Sequence, residues 1–210
     1  MSFRQLVLGI SPDAEATFEA FVTGRNGELV AKLRDIADGR IGESVVYLWG
    51  ERGCGRSHLL EATMKAARDP GRVEFADDVD LLTPDGQVGL FNRINRLREL
   101  PPDRASVLVA AGPAPPAQLA LRDDLKSRLA WGLVYQVHTL TDAEKATYLR
   151  GEAARRGLAI SDDVVAYLLT HVRRDLPTLV AILARLDEYS LSRQRPLTLP
   201  LVREALATLQ

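Results

Sequence analysis

Apolar and polar positions alternate along the chain in two regimes. Leu29, Val30, Leu33 and Ile36 recur at helical spacing and Gly39 supplies a stop, which predicts a helix over 27–39. Residues 44–49, SVVYLW, are continuously apolar and rich in β-branched and aromatic side chains, as expected of a strand buried on both faces of a parallel sheet. A helix over 58–68 ends at Asp69-Pro70-Gly71, a strong turn signal, and a second short strand over 73–76 runs into Asp77-Asp78. Leu90, Ile94, Leu97 and Leu100 mark the buried face of a helix over 87–100, and SVLVAA at 106–111 is a third strand, closed by GPAPPA. A short helix over 123–131 and a fourth strand over 133–137 complete the series. Strands alternating with helices indicate a parallel α/β sheet with helices on both faces.

After Thr139 the pattern is helical only. Thr141 and Glu144 have the spacing of a capping box, so a helix is expected from 142 to about 156. Another follows Ser161. Leu179, Ile182, Leu183, Leu186 and Tyr189 face inward from a longer helix over 175–193, and Pro200 opens the last. The expected organisation is an N-terminal arm over 1–24, an α/β domain over 25–139 and an all-α domain over 140–210. The arm holds the apolar element QLVLGI at 5–10 and a segment over 14–22 in which Phe18 and Phe21 are spaced like one helix face.

Composition narrows the classes. With 210 residues, 46% of them hydrophobic, the chain can bury a core unaided, and no apolar run approaches the roughly 18 residues of a membrane span. The start lacks a basic-then-apolar leader, so the cytoplasm is the expected compartment. Cys54 is the single cysteine, which excludes an intrachain disulfide or a thiolate metal cluster. A net charge of −1 argues against sequence-independent DNA binding. Of the 27 basic residues only 4 are lysine, an arginine excess that reads as a composition effect spread over the surface, with phosphate recognition as the alternative.

One segment carries chemistry. Strand SVVYLW, then Gly50-Glu51-Arg52-Gly53-Cys54-Gly55-Arg56-Ser57, then a helix, matches the nucleotide-binding pattern G-x-x-x-x-G-K-[ST] with Arg56 in place of lysine. Glycines let the backbone curl so that N–H groups face phosphate oxygens, the helix N-terminus adds its positive dipole end, and the Ser57 hydroxyl can ligate Mg²⁺. Arg56 keeps the charge but replaces a compact ammonium with a planar fork, suited to a diphosphate and less to a point contact between β- and γ-phosphates. Asp77 at the strand end would complete the magnesium shell, and Asp78 would orient an attacking water. The candidate nucleotide contacts are Gly50, Gly53, Cys54, Gly55, Arg56, Ser57 and His58, with Val22 from the preceding segment; the cofactor would be ADP or ATP with Mg²⁺, and a glycine turn without a ligand is the alternative. Cys54 reads as a small filler of the loop, although a thiol at a helix N-terminus is also where a pKa can fall.

GCGRSHLLEA, the acidic strand end and LKSRLAWGL together resemble the AAA+ module of the DnaA family of bacterial replication initiators. QLVLGI, TFEAFVTGRN, SRLAWG and RPLTLPLVREAL bring the chain closer to the Hda family, the regulatory inactivators of that initiator, over nearly the whole length. The resemblance implies an AAA+ P-loop sheet followed by a helical lid, with no DNA-binding domain of the initiator type. It implies a protein that switches the initiator off by stimulating hydrolysis of initiator-bound ATP while tethered to the DNA-loaded sliding clamp. Gln5, Leu6, Leu8 and Ile10 would be the clamp-binding peptide, alternate side chains of an extended segment entering one pocket. Arg128 matches the family's arginine finger, acting in trans, and Trp131 is expected to pack between the two domains. Self-association is a further expectation, because a finger needs a neighbouring site; membrane binding and direct sequence-specific DNA binding are not expected.

The chain also departs from the family. Ala111-Gly112-Pro113-Ala114 carries no side-chain donor where a γ-phosphate sensor is usual, and Pro177 stands where the lid normally supplies an arginine, with Arg173 and Arg174 nearby. Only 69–72 separate the loop helix from the second strand, so the sheet is expected to be one strand short of five. These losses predict weak ATP turnover at the chain's own site. Two other functions remain open: an autonomous ATPase of the helicase-loader type, and DNA binding through Arg155, Arg156, Arg173, Arg174, Arg193 and Arg195.

Overall fold

Leu29, Val30, Leu33 and Ile36 form the buried stripe of helix α1 (Gly27–Ala37), and VVYLW forms strand β1 (Val45–Trp49), whose first four residues are buried. The computed structural model describes residues 16–173 and 175–208. In it α2 (Arg56–Ala66), β2 (Val73–Ala76), α3 (Pro84–Arg98), β3 (Val107–Gly112), α4 (Asp123–Ala130) and β4 (Leu133–Gln136) follow β1, and then α5 (Asp142–Arg155), α6 (Asp162–His171), α7 (Leu176–Arg193) and α8 (Leu199–Thr208). Helix α3 begins before the position that periodicity predicts. There Thr83 accepts a hydrogen bond from the Gly86 N–H, and Pro84, which needs no donor, takes the first helical position.

All four strands are parallel, in the order β2-β3-β1-β4. The sheet thus has one strand fewer than five. The reason is visible between α2 and β2, where a single 3-10 turn over Pro70–Arg72 takes the whole connection. Strand β1 is central, so the glycine loop leaves the sheet with a strand on each side, at the carboxyl end where open α/β sheets take their ligands.

The period-two alternation of the strands builds two cores. Val46 and Leu48 with Val107, Val109 and Ala111 pack under α1 and α2, while Val45 and Tyr47 with Leu108 and Ala110 pack under α3 and α4. The chain divides into two compact units between Thr139 and Leu140. In the second, α5–α8 enclose a separate core of Leu149, Val164, Leu168, Ile182, Leu183, Leu186 and Val202. Its first helix carries the capping box: the Glu144 N–H donates to Thr141 Oγ1 and the Thr141 N–H to Glu144 Oε2, at 3.2 and 2.7 Å. No helix of the described residues is long and apolar enough to cross a membrane.

One expectation fails. Phe18 and Phe21 do not share a helix face, because the described part of that segment is a turn. Its bonds go elsewhere: the Ala20 N–H donates to Thr17 Oγ1, and the Thr17 carbonyl accepts from His58 Nε2 at 2.8 Å. Phe18 then enters the core beside α1, while Phe21 lies against the glycine loop. The buried Asn26 ties this entry to the sheet, since its amide donates to the His138 carbonyl at 3.0 Å and accepts from the His138 N–H at 2.8 Å. Gln5, Leu6, Leu8 and Ile10 lie outside the described residues, as does Arg174.

Candidate functional site

The loop after β1 can be made only with glycine at three places. A Cβ on Gly50 would stand 2.5 Å from the Val137 carbonyl oxygen and 2.9 Å from Cys54 Sγ; one on Gly55 would stand 2.7 Å from Phe21 Cε2. Gly53 and Gly55 have φ of +83° and +99°, left-handed backbone that costs other residues free energy. Helix α2 starts directly from Gly55 and runs for 11 residues. Alternating ordinary and left-handed residues at a helix start make an anion-binding concavity.

The side chains around it divide by role. Cys54 is buried, its N–H closes the turn on the Glu51 carbonyl, and burial pushes its thiol above the usual value against the pull of Arg56. It fills the loop and is not an activated nucleophile. Ser57 is exposed in the first turn of α2. His58 is spent on the Thr17 carbonyl and lies 5.7 Å from the Phe21 ring, with the half-buried Val22 next in the chain.

Arg56 is buried at its head, with the side chain 12% exposed. Its Nη2 lies 4.0 Å from Asp78 Oδ1, and its Nη1 is shielded from solvent with no partner among the described residues. Asp77 and Asp78 end β2 exposed; the Asp77 carboxylate accepts from the Asp78 N–H at 2.8 Å, and Asp78 has φ +43°, turning the chain back over the sheet. Two residues that the sequence reading passed over complete the cluster. Asp80 has a buried carboxylate oxygen without a partner among the described residues. Tyr47 is fully buried, its phenol pushed above its usual value by burial first, with Arg56 opposing and Asp80 adding. The hydroxyl therefore keeps its proton and donates to the Ala114 carbonyl at 2.9 Å. It also occupies the space of a side chain at Gly112, where Val79 Cγ2 would be 3.2 Å from a Cβ. The lack of a polar residue at the end of β3 thus has a packing cause. A tyrosine inside an otherwise apolar strand and a third acid after Asp77-Asp78 were the available signals.

These residues fit a phosphate group. Among the described residues, a shielded guanidinium N–H without a partner belongs to the first residue of a helix that starts from a loop with left-handed Gly53 and Gly55, the backbone pattern that takes anions.

Arg128 lies elsewhere, near the end of α4. Its guanidinium carbon stands 3.6 Å from the Trp131 ring centroid and 5.3 Å from that of Phe91. Among the described residues no carboxylate pairs with it, whereas most other arginines of both units are engaged. In the lid Arg155 and Arg156 bond Glu152, Arg173 meets Asp175 at 3.4 Å, and Arg193 meets Glu204 at 3.8 Å. Pro177 sits in the first turn of α7, where Asp175 accepts from the Thr178 N–H.

Comparison with known proteins agrees with this architecture. The Hda lid domain family matches residues 142–206. Domain III of the replication initiation protein DnaA from Thermotoga maritima superposes with a TM-score of 0.70 at 19% identity, covering 94% of this chain and 98% of that one. AMPPCP-bound DnaA from Aquifex aeolicus gives 0.66 at 20% identity over 85% of this chain and 68% of that one. The Holliday junction branch migration motor RuvB of Thermotoga maritima gives 0.66 at 14% identity over 94% and 72%. Residues 142–206 thus match the Hda lid domain family, and the chain shares the fold of DnaA domain III.

Proposed function

We propose that the chain is a negative regulator of replication initiation that stimulates hydrolysis of ATP held by DnaA, working while bound to the sliding clamp. One observation carries this reading: a match to the Hda lid family follows a DnaA-like unit that offers, on α4, an arginine without a carboxylate partner among the described residues. A guanidinium suits the role because it neutralises charge that spreads over the equatorial oxygens during phosphoryl transfer. Arg128 acts in trans, on the initiator's nucleotide.

The chain's own site holds ADP or ATP with Mg²⁺. The loop backbone from Gly50 to Gly55 cradles the phosphates, Arg56 counters their charge, and Val22 and His58 border the nucleotide. Ser57 and Asp77 supply oxygens to the metal, and Asp78 faces the water side. A bound phosphate would supply a partner for Arg56 Nη1. Turnover there is slow, because Arg56 is shared with Asp78 and the Tyr47 hydroxyl already donates its hydrogen bond to the Ala114 carbonyl. Gln5, Leu6, Leu8 and Ile10 enter the clamp. The protein works in the cytoplasm and can self-associate through the same finger-to-site geometry, and the pairing of Arg155, Arg156, Arg173 and Arg193 with Glu152, Asp175 and Glu204 argues against a DNA surface there.

The test is hydrolysis of initiator-bound ATP with clamp loaded on DNA. Wild type is expected to stimulate; Arg128→Ala and the double variant Gln5→Ala/Leu6→Ala are expected to fail, the first while still binding clamp. A wild type that leaves the initiator's ATP intact but turns over ATP alone would instead make the chain an autonomous ATPase of the helicase-loader type.

A further inference from the structure

Trp131 is a large apolar side chain left 54% exposed just beyond the last turn of α4. Two guanidiniums cover its ring, with Arg128 Cζ 3.6 Å and Arg98 Cζ 4.0 Å from the centroid. At those distances one face cannot hold both cations, so the indole is sandwiched between them. Arg98 and Phe91 belong to α3 and Arg128 to α4, and the two helices are locked together underneath by Leu90, Ile94, Leu97, Leu125 and Leu129. Arg128 Nε is shielded from solvent and has no hydrogen-bond partner among the described residues, so stacking rather than hydrogen bonding holds this side chain.

We infer that Trp131 is the positioning residue of the Arg128 finger, braced from its other face by Arg98; this rests on the trans-acting role proposed for Arg128. A free arginine explores many rotamers, and ordering it at the moment of phosphoryl transfer lowers the share of encounters in which the fork is correctly placed. A flat indole on one side and the Phe91 ring beneath fix the long stem in advance and leave the terminal nitrogens to the partner's phosphate. Trp131 thus acts through Arg128 and touches no substrate itself.

The experiment is single-turnover hydrolysis of initiator-bound ATP, with clamp on DNA, titrated with wild type, Trp131→Phe, Trp131→Ala, Arg98→Ala, Arg128→Ala and the double variant Trp131→Ala/Arg128→Ala. Trp131→Ala is expected to lower the rate at saturation about tenfold while the half-saturating concentration stays within about twofold of wild type. Trp131→Phe, which keeps a ring face, restores most of the rate; Arg98→Ala gives an intermediate loss. Adding Trp131→Ala to Arg128→Ala has no further effect, because the ring works only through the arginine. Each variant's thermal melt is recorded alongside, and the Phe rescue separates positioning from folding. If Trp131→Ala matches wild type, or changes only the half-saturating concentration, the positioning role is overturned while an inactive Arg128→Ala keeps the finger. If Arg128→Ala matches wild type, the finger itself falls.

Discussion

Gly132, which joins α4 to β4, gives the sharpest test of the packing that presents Arg128. A Cβ there would lie 2.7 Å from the Val45 carbonyl carbon and 2.8 Å from Val45 Cβ, with the carbonyl oxygen closer still, whereas ordinary contact begins at 3.4 Å. Sliding β4 away is blocked by its ladder to β1, in which Val46 pairs with Leu133. Overpacking typically costs about 1–3 kcal/mol, and the obstruction here is backbone, so Gly132→Ala is expected near the upper end, about 3 kcal/mol. For a unit of this size that is a fall in melting temperature of roughly 10 °C. Gly89 is the control: it is exposed inside α3 with nothing near a Cβ, so Gly89→Ala is expected to stabilise by about 0.5–1 kcal/mol through helix propensity and chain entropy. Urea unfolding followed by tryptophan emission reads this unit alone, since Trp49 and Trp131 both belong to it. A Gly132→Ala protein within about 0.5 kcal/mol of wild type would refute the packing described for the α4–β4 corner.

Asn26→Ala removes both bonds to His138 and strands a backbone pair, with an expected loss of about 2 kcal/mol in the same urea assay. Glu74 is pulled two ways: burial raises its carboxyl pKa, but hydrogen bonds from Arg93 at 2.7 Å and Arg96 at 2.6 Å outweigh burial, so the folded value is below the ordinary one. Its contribution is therefore complete above the ordinary glutamate range and lost as pH falls through the lowered value. Wild type should exceed Glu74→Gln in stability at neutral pH and lose that advantage in acid; an advantage that grows in acid would reverse the sign. Thr141→Ala breaks the capping box and should destabilise the lid by about 1 kcal/mol, read as faster amide exchange at the start of α5.

How much of this was legible in the sequence depended on periodicity. Every helix and strand expected between 27 and 208 is present, most of them carried by an apolar stripe or a continuous apolar run, and the missing fifth strand followed from the few residues between Arg68 and Val73. Helix starts were less legible. Pro84 and Arg56 begin helices on the strength of Thr83 and a left-handed Gly55, features of caps rather than of apolar spacing. The turn at Phe18 was misread because two aromatics three apart suit a helix, while the deciding bonds come from Thr17 and the distant His58. In the site, the glycine loop and its acids could be read from spacing. Tyr47 could not: as the middle residue of a buried strand it looks like core, and only the bend of the chain beyond β3 brings Ala114 to its hydroxyl. The stack of Arg98, Trp131 and Arg128 was equally hidden, since it needs α3 and α4 side by side.

The central claim is that this chain lends Arg128 to another protein's nucleotide. The most direct measurement is the rate of hydrolysis of DnaA-bound ATP, with clamp on DNA, on adding wild type or Arg128→Ala at matched, saturating concentration. Loss of stimulation on substitution, with clamp binding and thermal melt unchanged, is the expected result; equal stimulation by the two proteins would contradict it.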